Sequence, residues 1–575
     1  MSEEIVERAR QAYQAGRLTE AAALFGQAIA ADGSSAESHF YLGNILIDQG
    51  RKEEAVAAYR RCVELQPGNP VTLYNLAAAL HEAGRPEEAI AYYRSALAVQ
   101  PNFADAAYNL GAVLREVRRP YEAIAAYRQV LAIQPEYLDA HNDLGQVWSE
   151  LGDYDQAMAY FDRELALHPN HALARSNRFL SMHYHPRYTP EQILREHRQW
   201  DRQNARAIQP HTNIRDPERR LKIGYVSPDF RRHCESFFTI PLLSHHDHRQ
   251  FEICAYASVA KPDELTQRIK GYCDVWQNTV GQSDVQVAHQ IRADGIDILI
   301  DLTMHMAGGR PLLFAAKPAP VQLAWLAYPG TTGLSAMDYR LTDPYLDPPG
   351  EHDEWYSEKS IRLPETFWCY DPLTDQPEVN ALPALQNGYL TFGSLNNFCK
   401  VTDQTLSLWS RVLKATPNSR LILLSQAGEH RQRVLSGLDV EPRRVEFVEY
   451  QPRERYLRTY LRIDLCLDTF PVNGHTTSLD ALWMGVPVMS MEGRAANARA
   501  AISQSTNLGL AGELVGKTPE EFISLTLDLA GNLARLSELR RTLRGRMAGS
   551  VLMDGARFAR NIEAIFRDVW RVYCR

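Results

Sequence analysis

A repeat with a spacing of 34 residues runs through the first third of this 575-residue chain and limits what that part can fold into. Four columns of residues stay in phase at this spacing. The columns are Leu42, Leu76, Leu110 and Leu144; Ala55, Ala89, Ala123 and Ala157; Tyr59, Tyr93, Tyr127 and Phe161; and Pro67, Pro101, Pro135 and Pro169. A period of this length predicts stacked helical hairpins, because each unit can bury its apolar face only against its neighbours.

The pattern of small residues, an aromatic column and a boundary proline resembles the tetratricopeptide (TPR) repeat, with about four and a half units over residues 4–170. Such a solenoid has a concave groove suited to an extended peptide. Asn75 and Asn109 each precede a leucine of the repeat. We expect them to hydrogen-bond the backbone of a bound peptide; the alternative is that they are solvated polar groups on the inner helices.

Composition narrows the class of protein. The formal charge is 62 − 70 = −8, which disfavours a nucleic-acid partner. We find no apolar run of membrane-spanning length and no secretory h-region behind the acidic start, so we expect neither a membrane nor secretion. Eight cysteines are scattered without a CxxC pair, which favours a reduced, cytoplasmic protein.

The periodicity changes after a polar helical stretch. Apolar runs that alternate with helices predict parallel sheets in two sets, separated by a proline-rich segment over 363–385. The predicted strands are 220–227, 251–258, 295–302 and 321–330, then 389–397, 420–425, 444–450, 463–470 and 486–491. We therefore predict an α-solenoid followed by an α/β region of two Rossmann-like lobes, the GT-B arrangement. The expected domains are the TPR superhelix 1–170, linking helices 171–215, an acceptor-side lobe 216–380, a nucleotide-sugar lobe 381–554 and a terminal helix 555–575.

The segment DTFPVNGHTTSLDALWMG, residues 468–485, carries the strongest chemical signal. A strand ends there, a loop with Gly474 follows, and a helix begins near His475, Thr476 and Thr477. Free N–H groups and the helix dipole favour an anion at such a point, and the hydroxyls and imidazole would add donors for a diphosphate. Asp480, one turn later, is placed to hold a ribose hydroxyl. The alternative is an ordinary threonine N-cap.

Further candidates follow other strands. Lys400 ends GSLNNFCK and would stabilise a leaving diphosphate, whereas alone it reads as a solvated lysine. His233 ends VSPDFRRH and is a candidate general base or acceptor-orienting group, although most loop histidines are neither. The turn YPGTTG and the segment DLTMHMAGGR add candidates for the donor site. Those residues are Pro329, Gly330, Thr331, His305 and Arg310.

Three patterns imitate functional motifs. VGKT at 515–518 lacks the earlier glycine of a P-loop, so Thr518 is expected to cap a helix. DYD at 153–155 falls in a repeat turn, and the histidine-rich run at 245–248 is isolated. We therefore expect no functional metal.

The whole combination resembles the nucleocytoplasmic protein O-glycosyltransferases, which include the O-GlcNAc transferases and the SPINDLY-type O-fucosyltransferases. TPR repeats are followed by IGYVSPDFRRH, APVQLAWLAYPGTTGLSAMDY, FGSLNNFCK and DTFPVNGHTTSLDALWMGVPV, so the resemblance spans about residues 5–570. It implies an inverting, metal-independent enzyme that moves one sugar from a nucleotide to Ser or Thr of a protein, without a cofactor.

The resemblance also implies roles. His233 matches the family's active-site histidine, Lys400 the lysine beside the departing diphosphate, and Asp480 the ribose carboxylate. Residues 475–477 match the diphosphate loop, and residues 329–331 match the turn near the donor sugar. Asn397 stands where O-GlcNAc transferases often have Gln or Asn. The nucleobase loop QPRERYLRT departs from those enzymes and offers Arg453 among its donor-binding candidates.

Three functions are thus predicted as alternatives. The first is transfer of GlcNAc from UDP-GlcNAc to proteins held in the TPR groove. The second keeps the fold and uses GDP-fucose, and a variant of it transfers glucose to Asn. The third is a TPR scaffold with an inactive transferase domain, and the solenoid also allows a homodimer.

Overall fold

The computed structural model describes residues 2–205, 207–328 and 330–575. The chain divides into two compact units. The first contains the residues up to 151 together with 155–174, and the second contains 152–154 and 175–575.

Ten helices in antiparallel pairs build the repeat array. They are α1 (Ser2–Gln14), α2 (Leu18–Ala31), α3 (Ala36–Asp48), α4 (Lys52–Leu65), α5 (Pro70–Glu82), α6 (Pro86–Val99), α7 (Ala104–Glu116), α8 (Pro120–Ile133), α9 (Ala140–Glu150) and α10 (Tyr154–Leu167). Proline occupies the first turn of α5, α6 and α8, where its missing N–H costs no helical bond. The expected helical hairpins are therefore present.

The repeat columns have direct packing reasons. The rings of Tyr59 and Tyr127 lie so close to Gly43 and Gly111 that a Cβ on either glycine would meet ring carbon at 2.6 and 2.7 Å. The turns between paired helices need a left-handed residue, and Gly84 supplies one with φ 75°. Arg118, which breaks the glycine series, adopts the same conformation with φ 60°.

We predict that Gly111→Ala lowers the free energy of unfolding of the array by about 1–3 kcal/mol, because the added methyl must displace the buried Tyr127 ring. Gly26→Ala is the control, since a Cβ there meets nothing within 4 Å and alanine favours the helix. Urea denaturation of the full chain measures both variants. Equal effects at the two positions would show that the ring contact does not set the helix spacing.

The two asparagines of the predicted groove already have partners within the array. Asn75 donates to Oδ1 of Asn44 at 3.4 Å, and Asn109 donates to the hydroxyl of Tyr74 at 2.9 Å. Each amide nitrogen carries a second N–H. Peptide binding by Asn75 and Asn109 therefore stays a prediction.

The second unit begins with two linking helices and continues into the first α/β lobe. Its elements are α11 (Ala172–Tyr184), α12 (Pro190–Asn204), β1 (Leu221–Ser227), α13 (Ser236–Leu243), β2 (Phe251–Ala257), α14 (Glu264–Lys270), β3 (Val275–Asn278), α15 (Asp284–Asp294), β4 (Ile298–Asp301), α16 (Pro311–Ala315), β5 (Val321–Ala324), β6 (Tyr339–Thr342) and β7 (Lys359–Arg362). All seven strands are parallel, in the order β3-β2-β1-β4-β5-β6-β7.

The second lobe repeats this organisation. Its elements are α17 (Ala384–Asn387), β8 (Thr391–Ser394), α18 (Asp403–Ala415), β9 (Arg420–Leu424), α19 (His430–Leu438), β10 (Val445–Val448), α20 (Arg453–Thr459), β11 (Leu465–Leu467), α21 (Thr476–Trp483), β12 (Val488–Met491), α22 (Ala500–Thr506), α23 (Ala511–Leu514), β13 (Val515–Gly516), α24 (Pro519–Ala530), α25 (Leu533–Ala548) and α26 (Gly555–Cys574). The parallel order is β10-β9-β8-β11-β12-β13. The prediction of two Rossmann-like lobes is confirmed.

Helix α26 returns to the first lobe. Arg567 donates to the carbonyl of Arg219 at 2.9 Å, and Glu563 accepts from the buried His246 at 2.9 Å. The C-terminal helix, which follows the second lobe in the chain, thus packs against the first lobe and links the two. Among the described residues, no helix combines the length and the apolar character needed to cross a bilayer.

Candidate functional site

A cleft of about 1090 Å³ opens where the strands of both lobes end. Its walls follow β1 in the first lobe and β8, β9 and β11 in the second, as expected for ligand sites of open parallel sheets. Eight of the residues predicted from sequence line it: His233, Asn397, Lys400, Arg453, His475, Thr476, Thr477 and Asp480.

Lys400 and the loop before α21 form one anchored group. The Lys400 ammonium donates to the carbonyl of Asn473 at 2.6 Å. Burial lowers the pKa of Lys400 from its ordinary value. Beside this cation, α21 begins at Thr476, and the N–H groups of its first turn lack intrahelical acceptors. A lysine and an open helix start at one point of a cleft suit an anion with several oxygens.

The His475 ring immediately precedes α21. Burial lowers its pKa to about 3, with a further contribution from Lys400, so the ring is neutral at physiological pH. It bonds the main chain of Asn497, and Nε2 has no hydrogen-bond partner within the described part of the chain. The ring proton therefore sits on Nδ1, and Nε2 is an acceptor. In this tautomer Nε2 can accept a hydrogen bond from a hydroxyl or N–H group, and the role of His475 in diphosphate binding stays a prediction.

Asp480 is buried and already fully engaged. Arg453 donates to both carboxylate oxygens, at 2.6 and 2.7 Å. Tyr370 donates to Oδ1 at 2.5 Å and Tyr456 to Oδ2 at 3.1 Å. The Arg453 guanidinium also lies 4.4 Å from the ring centroid of Phe237. A ribose hydroxyl must share or replace one of these donors to reach Asp480.

The half-buried His233 lies at the first-lobe side of the cleft beside two carboxyl groups. Its Nδ1 accepts from the N–H of Glu235 at 3.4 Å and lies 3.6 Å from Asp229. Burial is the main cause that lowers the pKa of His233, and Asp229 opposes it. The Glu235 contact favours the tautomer with the proton on Nε2, which donates a hydrogen bond. Burial raises the pKa of Glu235 well above its usual range.

Asp229, His233 and Glu235 lie close enough together to hold a cation. Their ligand atoms are all within 4.8 Å of one another. The sequence interpretation did not connect Asp229 or Glu235 with His233. The sequence signal for this contact was the spacing of four residues between Asp229 and His233. The group defines a titratable centre, and an acidic cluster alone does not define a metal site.

Several predicted donor contacts lie outside the cleft lining. His305 is buried and hydrogen-bonds the carbonyl of Thr332 at 2.9 Å, and Arg310 binds Asp284 and main-chain carbonyls of its own lobe. Both side chains therefore make structural hydrogen bonds within the first lobe and do not face the cleft. Gly330 and Thr331 line a different cavity, with Thr331 donating to Glu358 at 2.8 Å. Pro329 lies outside the described residues.

Gly474 is also withdrawn from the cleft surface. It is buried, its N–H donates to Asp468 at 2.7 Å, and an added Cβ would meet Ser478 Oγ at 2.2 Å. It therefore shapes the loop from behind.

Other cleft residues were missed from the sequence. Asn396 is buried, donates to Asp468 at 3.0 Å and accepts from the Thr477 hydroxyl. Tyr450 also lines the cleft and donates to Oδ1 of Asn397 at 2.9 Å. Asn396 was quoted within a motif but not singled out, and Tyr450 carried no signal because only the fold brings it near Asn397.

Buried neutral histidines predict acid destabilisation of the second unit. Burial lowers the pKa of His305 to about 4, against about 6.5 in the unfolded chain. The unfolded state therefore binds more protons between these values, so stability present above pH 6.5 is lost as the pH falls towards 4. His305→Gln should lose less stability than the wild type between pH 7 and 4, by on the order of 3 kcal/mol. Urea titrations at each pH measure the difference.

His289→Gln serves as the control because His289 is exposed on α15. Its pH dependence should match the wild type. A wild-type and a His305→Gln curve that run in parallel from pH 7 to 4 would contradict the assignment of a neutral, buried His305.

The solenoid, the two parallel-sheet lobes and the anion-suited cleft between the lobes define a class, the glycosyltransferases of GT-B fold that carry TPR repeats. The family model of glycosyl transferase family 41 matches residues 203–381 and 378–562, and tetratricopeptide models match 6–70, 40–102 and 102–170. The chain therefore belongs to glycosyl transferase family 41.

Two similar plant proteins are named as glycosyltransferases. The probable UDP-N-acetylglucosamine–peptide N-acetylglucosaminyltransferase SPINDLY of Arabidopsis thaliana is 38% identical over 416 residues, which cover 70% of this chain and 45% of that protein. The SEC protein of the same plant is 31% identical over 368 residues, covering 62% and 38%. This chain thus spans less than half the length of these relatives.

A solved structure gives the fuller structural match. A mutant of the O-GlcNAc transferase of Thermobaculum terrenum superposes with a TM-score of 0.81 at 33% identity. The match covers 88% of this chain and 98% of that one. The solenoid and both lobes of the present chain thus follow a family architecture.

Proposed function

We propose that this protein is an inverting, metal-independent transferase that moves GlcNAc from UDP-GlcNAc to Ser or Thr hydroxyls of proteins. One observation carries the proposal: Lys400 is held 2.6 Å from the carbonyl of Asn473, beside the open start of α21 in the interlobe cleft. The printed names of the relatives supply the sugar and the acceptor class.

The donor side is built around the diphosphate. Lys400 and the first-turn N–H groups of α21 meet the negative charge that grows as the glycosidic bond breaks, with the hydroxyls of Thr476 and Thr477 beside them. The bare Nε2 of His475 accepts a hydrogen bond from a sugar hydroxyl or from the amide N–H of the donor. These fixed protein donors perform the charge stabilisation that a divalent cation performs in other transferases.

The acceptor side lies at His233. The acceptor hydroxyl attacks C1 from the face opposite the diphosphate, so a single displacement inverts the anomeric centre. His233 with its proton on Nε2 orients the reacting oxygens, and the hydroxyl proton leaves towards the donor phosphate or water. The TPR groove, with Asn75 and Asn109, holds the acceptor chain and raises its local concentration at the cleft.

GDP-fucose is the alternative donor, and one feature of the cleft favours it. Glu454 lines the nucleobase side, where its carboxylate pairs with Arg458 at 2.9 Å. A carboxylate can accept two hydrogen bonds from the paired N–H groups of guanine, whereas uracil presents one N–H between two carbonyls. Glu454→Gln would weaken GDP binding and spare UDP binding if guanosine is the true ligand.

Calorimetric titration of UDP and GDP into the full chain without added metal tests the proposal. UDP should bind at least tenfold more tightly than GDP, and Glu454→Gln should leave the UDP affinity within about twofold. Tight GDP binding would transfer the assignment to O-fucosylation. Failure of both nucleotides would favour the remaining alternative, a scaffold whose transferase domain is inactive.

The proposal also covers the partners, the cofactor requirement, the location and the oligomeric state. The partners are the acceptor proteins and the nucleotide sugar, no cofactor is required, and a cytoplasmic location fits the reduced cysteines. A homodimer through the solenoid is measured by sedimentation of the full chain.

A further inference from the structure

A second cavity, separate from the interlobe cleft, lies behind the diphosphate loop. It has a volume of about 250 Å³, and none of the residues that line it lines the cleft. Its wall is mainly aromatic and aliphatic: Tyr188, Ile193, Trp355, Tyr356, Phe470 and Pro471. A concave, mainly apolar space with a few polar groups at its edge is typical of a small-molecule site.

The walls are held open by contacts behind them. Tyr356 is buried, with the guanidinium of Arg340 3.6 Å from its ring centroid and its hydroxyl bonded to Asp347 at 3.0 Å. Trp355 stacks on His352 at 3.8 Å with an interplanar angle of 7°. These rings cannot turn inward without breaking those contacts, so the space is a formed pocket that suits a flat apolar ligand.

The mouth of the cavity carries a cation. Arg494 is exposed, and its guanidinium lies 5.0 Å from the ring centroid of Trp355. A hydrogen bond from Thr189 is the main cause that lowers the pKa of Glu191, and the charge of Arg494 adds a smaller contribution. A ligand carboxylate at this position would gain a paired, planar donor.

The floor of the cavity is connected to the diphosphate loop by two successive contacts. The carbonyl of Asn497 accepts from the N–H of Asn473 at 3.0 Å, and the His475 ring bonds the same main chain. The carbonyl of Asn473 in turn accepts from Lys400. Asn497 itself lines the cavity. A ligand that shifts or stiffens this floor therefore changes the energy of the loop at the cleft.

We propose that this cavity is an effector site for a small aromatic carboxylic acid, with the ring system among the aromatic walls and the carboxylate on Arg494. Its occupancy changes nucleotide affinity through Asn497, and this coupling rests on the proposed function, whereas the binding itself does not. By linkage, the nucleotide changes the affinity of the acid by the same factor.

Indole-3-acetate is the probe, and indole-3-acetamide is its uncharged match. Calorimetry on the full chain should show indole-3-acetate binding with a Kd of about 1 mM or tighter, as its size allows. Arg494→Gln should weaken the acid at least tenfold and the amide less than twofold. Ala495→Trp, which fills the half-buried mouth, should abolish both. Arg443→Gln at an exposed arginine is the control for charge and should change neither affinity.

Thermal unfolding of each variant checks that it folds. Absence of binding by both probes to the wild type, or binding that survives Ala495→Trp in a folded protein, overturns the site. UDP is then titrated with and without saturating indole-3-acetate. A change in UDP affinity of at least threefold, absent in Ala495→Trp, supports the coupling, and an unchanged UDP affinity overturns it. A protein that binds the acid but neither UDP nor GDP would contradict the proposed function alone.

Discussion

Replacing Lys400 with alanine should lower kcat for both peptide glycosylation and donor hydrolysis by about 10²–10³-fold. The ammonium is held at the start of α21 by Asn473, so its charge faces the diphosphate without the need to reorganise when the bond breaks. Because the interaction strengthens as charge develops, kcat should fall more than the affinity for the donor.

Lys414→Ala is the matched control. Lys414 is an exposed lysine of the same lobe, paired with Asp439 at 2.6 Å, and its loss should change kcat by less than twofold. The two variants should also have similar melting temperatures within a few degrees. If Lys400→Ala retains nearly full turnover, the leaving-group assignment of the cleft is wrong.

Removing residues 1–170 should separate acceptor capture from chemistry. The truncated chain keeps α11, α12 and both lobes, which make up the second compact unit except for residues 152–154 and have their own core. We expect kcat/KM for long polypeptide acceptors to fall by about 100-fold, since the array raises their effective concentration. Donor hydrolysis should stay within about threefold, because it needs only the cleft.

UDP affinity and thermal unfolding establish that the truncated protein is folded. A parallel loss of glycosylation and hydrolysis would show that the array supports the catalytic unit rather than the acceptor. Short peptides should be affected less than long polypeptides, which gives a second, independent contrast.

The sequence predicted the repeat architecture well because its signal is local and recurrent. Tyr127, for example, contacts Gly111 on the partner helix, and the same contact recurs between Tyr59 and Gly43 and between Phe161 and Gly145. The strands of the lobe cores were also predictable, since both faces of β1 and β4 are largely buried and their sequences are mainly apolar. Thr518 caps α24 as expected.

Four strands were missed, and several predicted strands are shorter in the structure. β3, β6, β7 and β13 lie towards the edges of their sheets, where polar residues interrupt the apolar run, and β13 contains only two residues. The predicted strand over 321–330 ends at Ala324, because the apolar residues that follow pack in a buried loop. A continuous apolar run predicts that a segment is buried, but it does not distinguish a strand from a buried loop.

Within the site, sequence motifs placed residues in the cleft but did not reveal their hydrogen-bond states. Asp480 was expected to be open for ribose, whereas it accepts hydrogen bonds from two distant segments, α20 with Arg453 and Tyr456 and the loop with Tyr370. The ring of His475 bonds the main chain of Asn497, and this partner favours the tautomer with the proton on Nδ1. Such states depend on partners that are far apart in the chain, and no single motif contains them.

The most direct test of the central claim is a donor competition followed by mass spectrometry of the product. The full chain is incubated with equal UDP-GlcNAc and GDP-fucose and a degenerate Ser/Thr peptide library, and the modified residues are located by electron-transfer fragmentation. The account predicts an N-acetylhexosamine increment on Ser or Thr that disappears in Lys400→Ala. A deoxyhexose increment, modification of Asn, or no modification by the folded wild-type protein would contradict it.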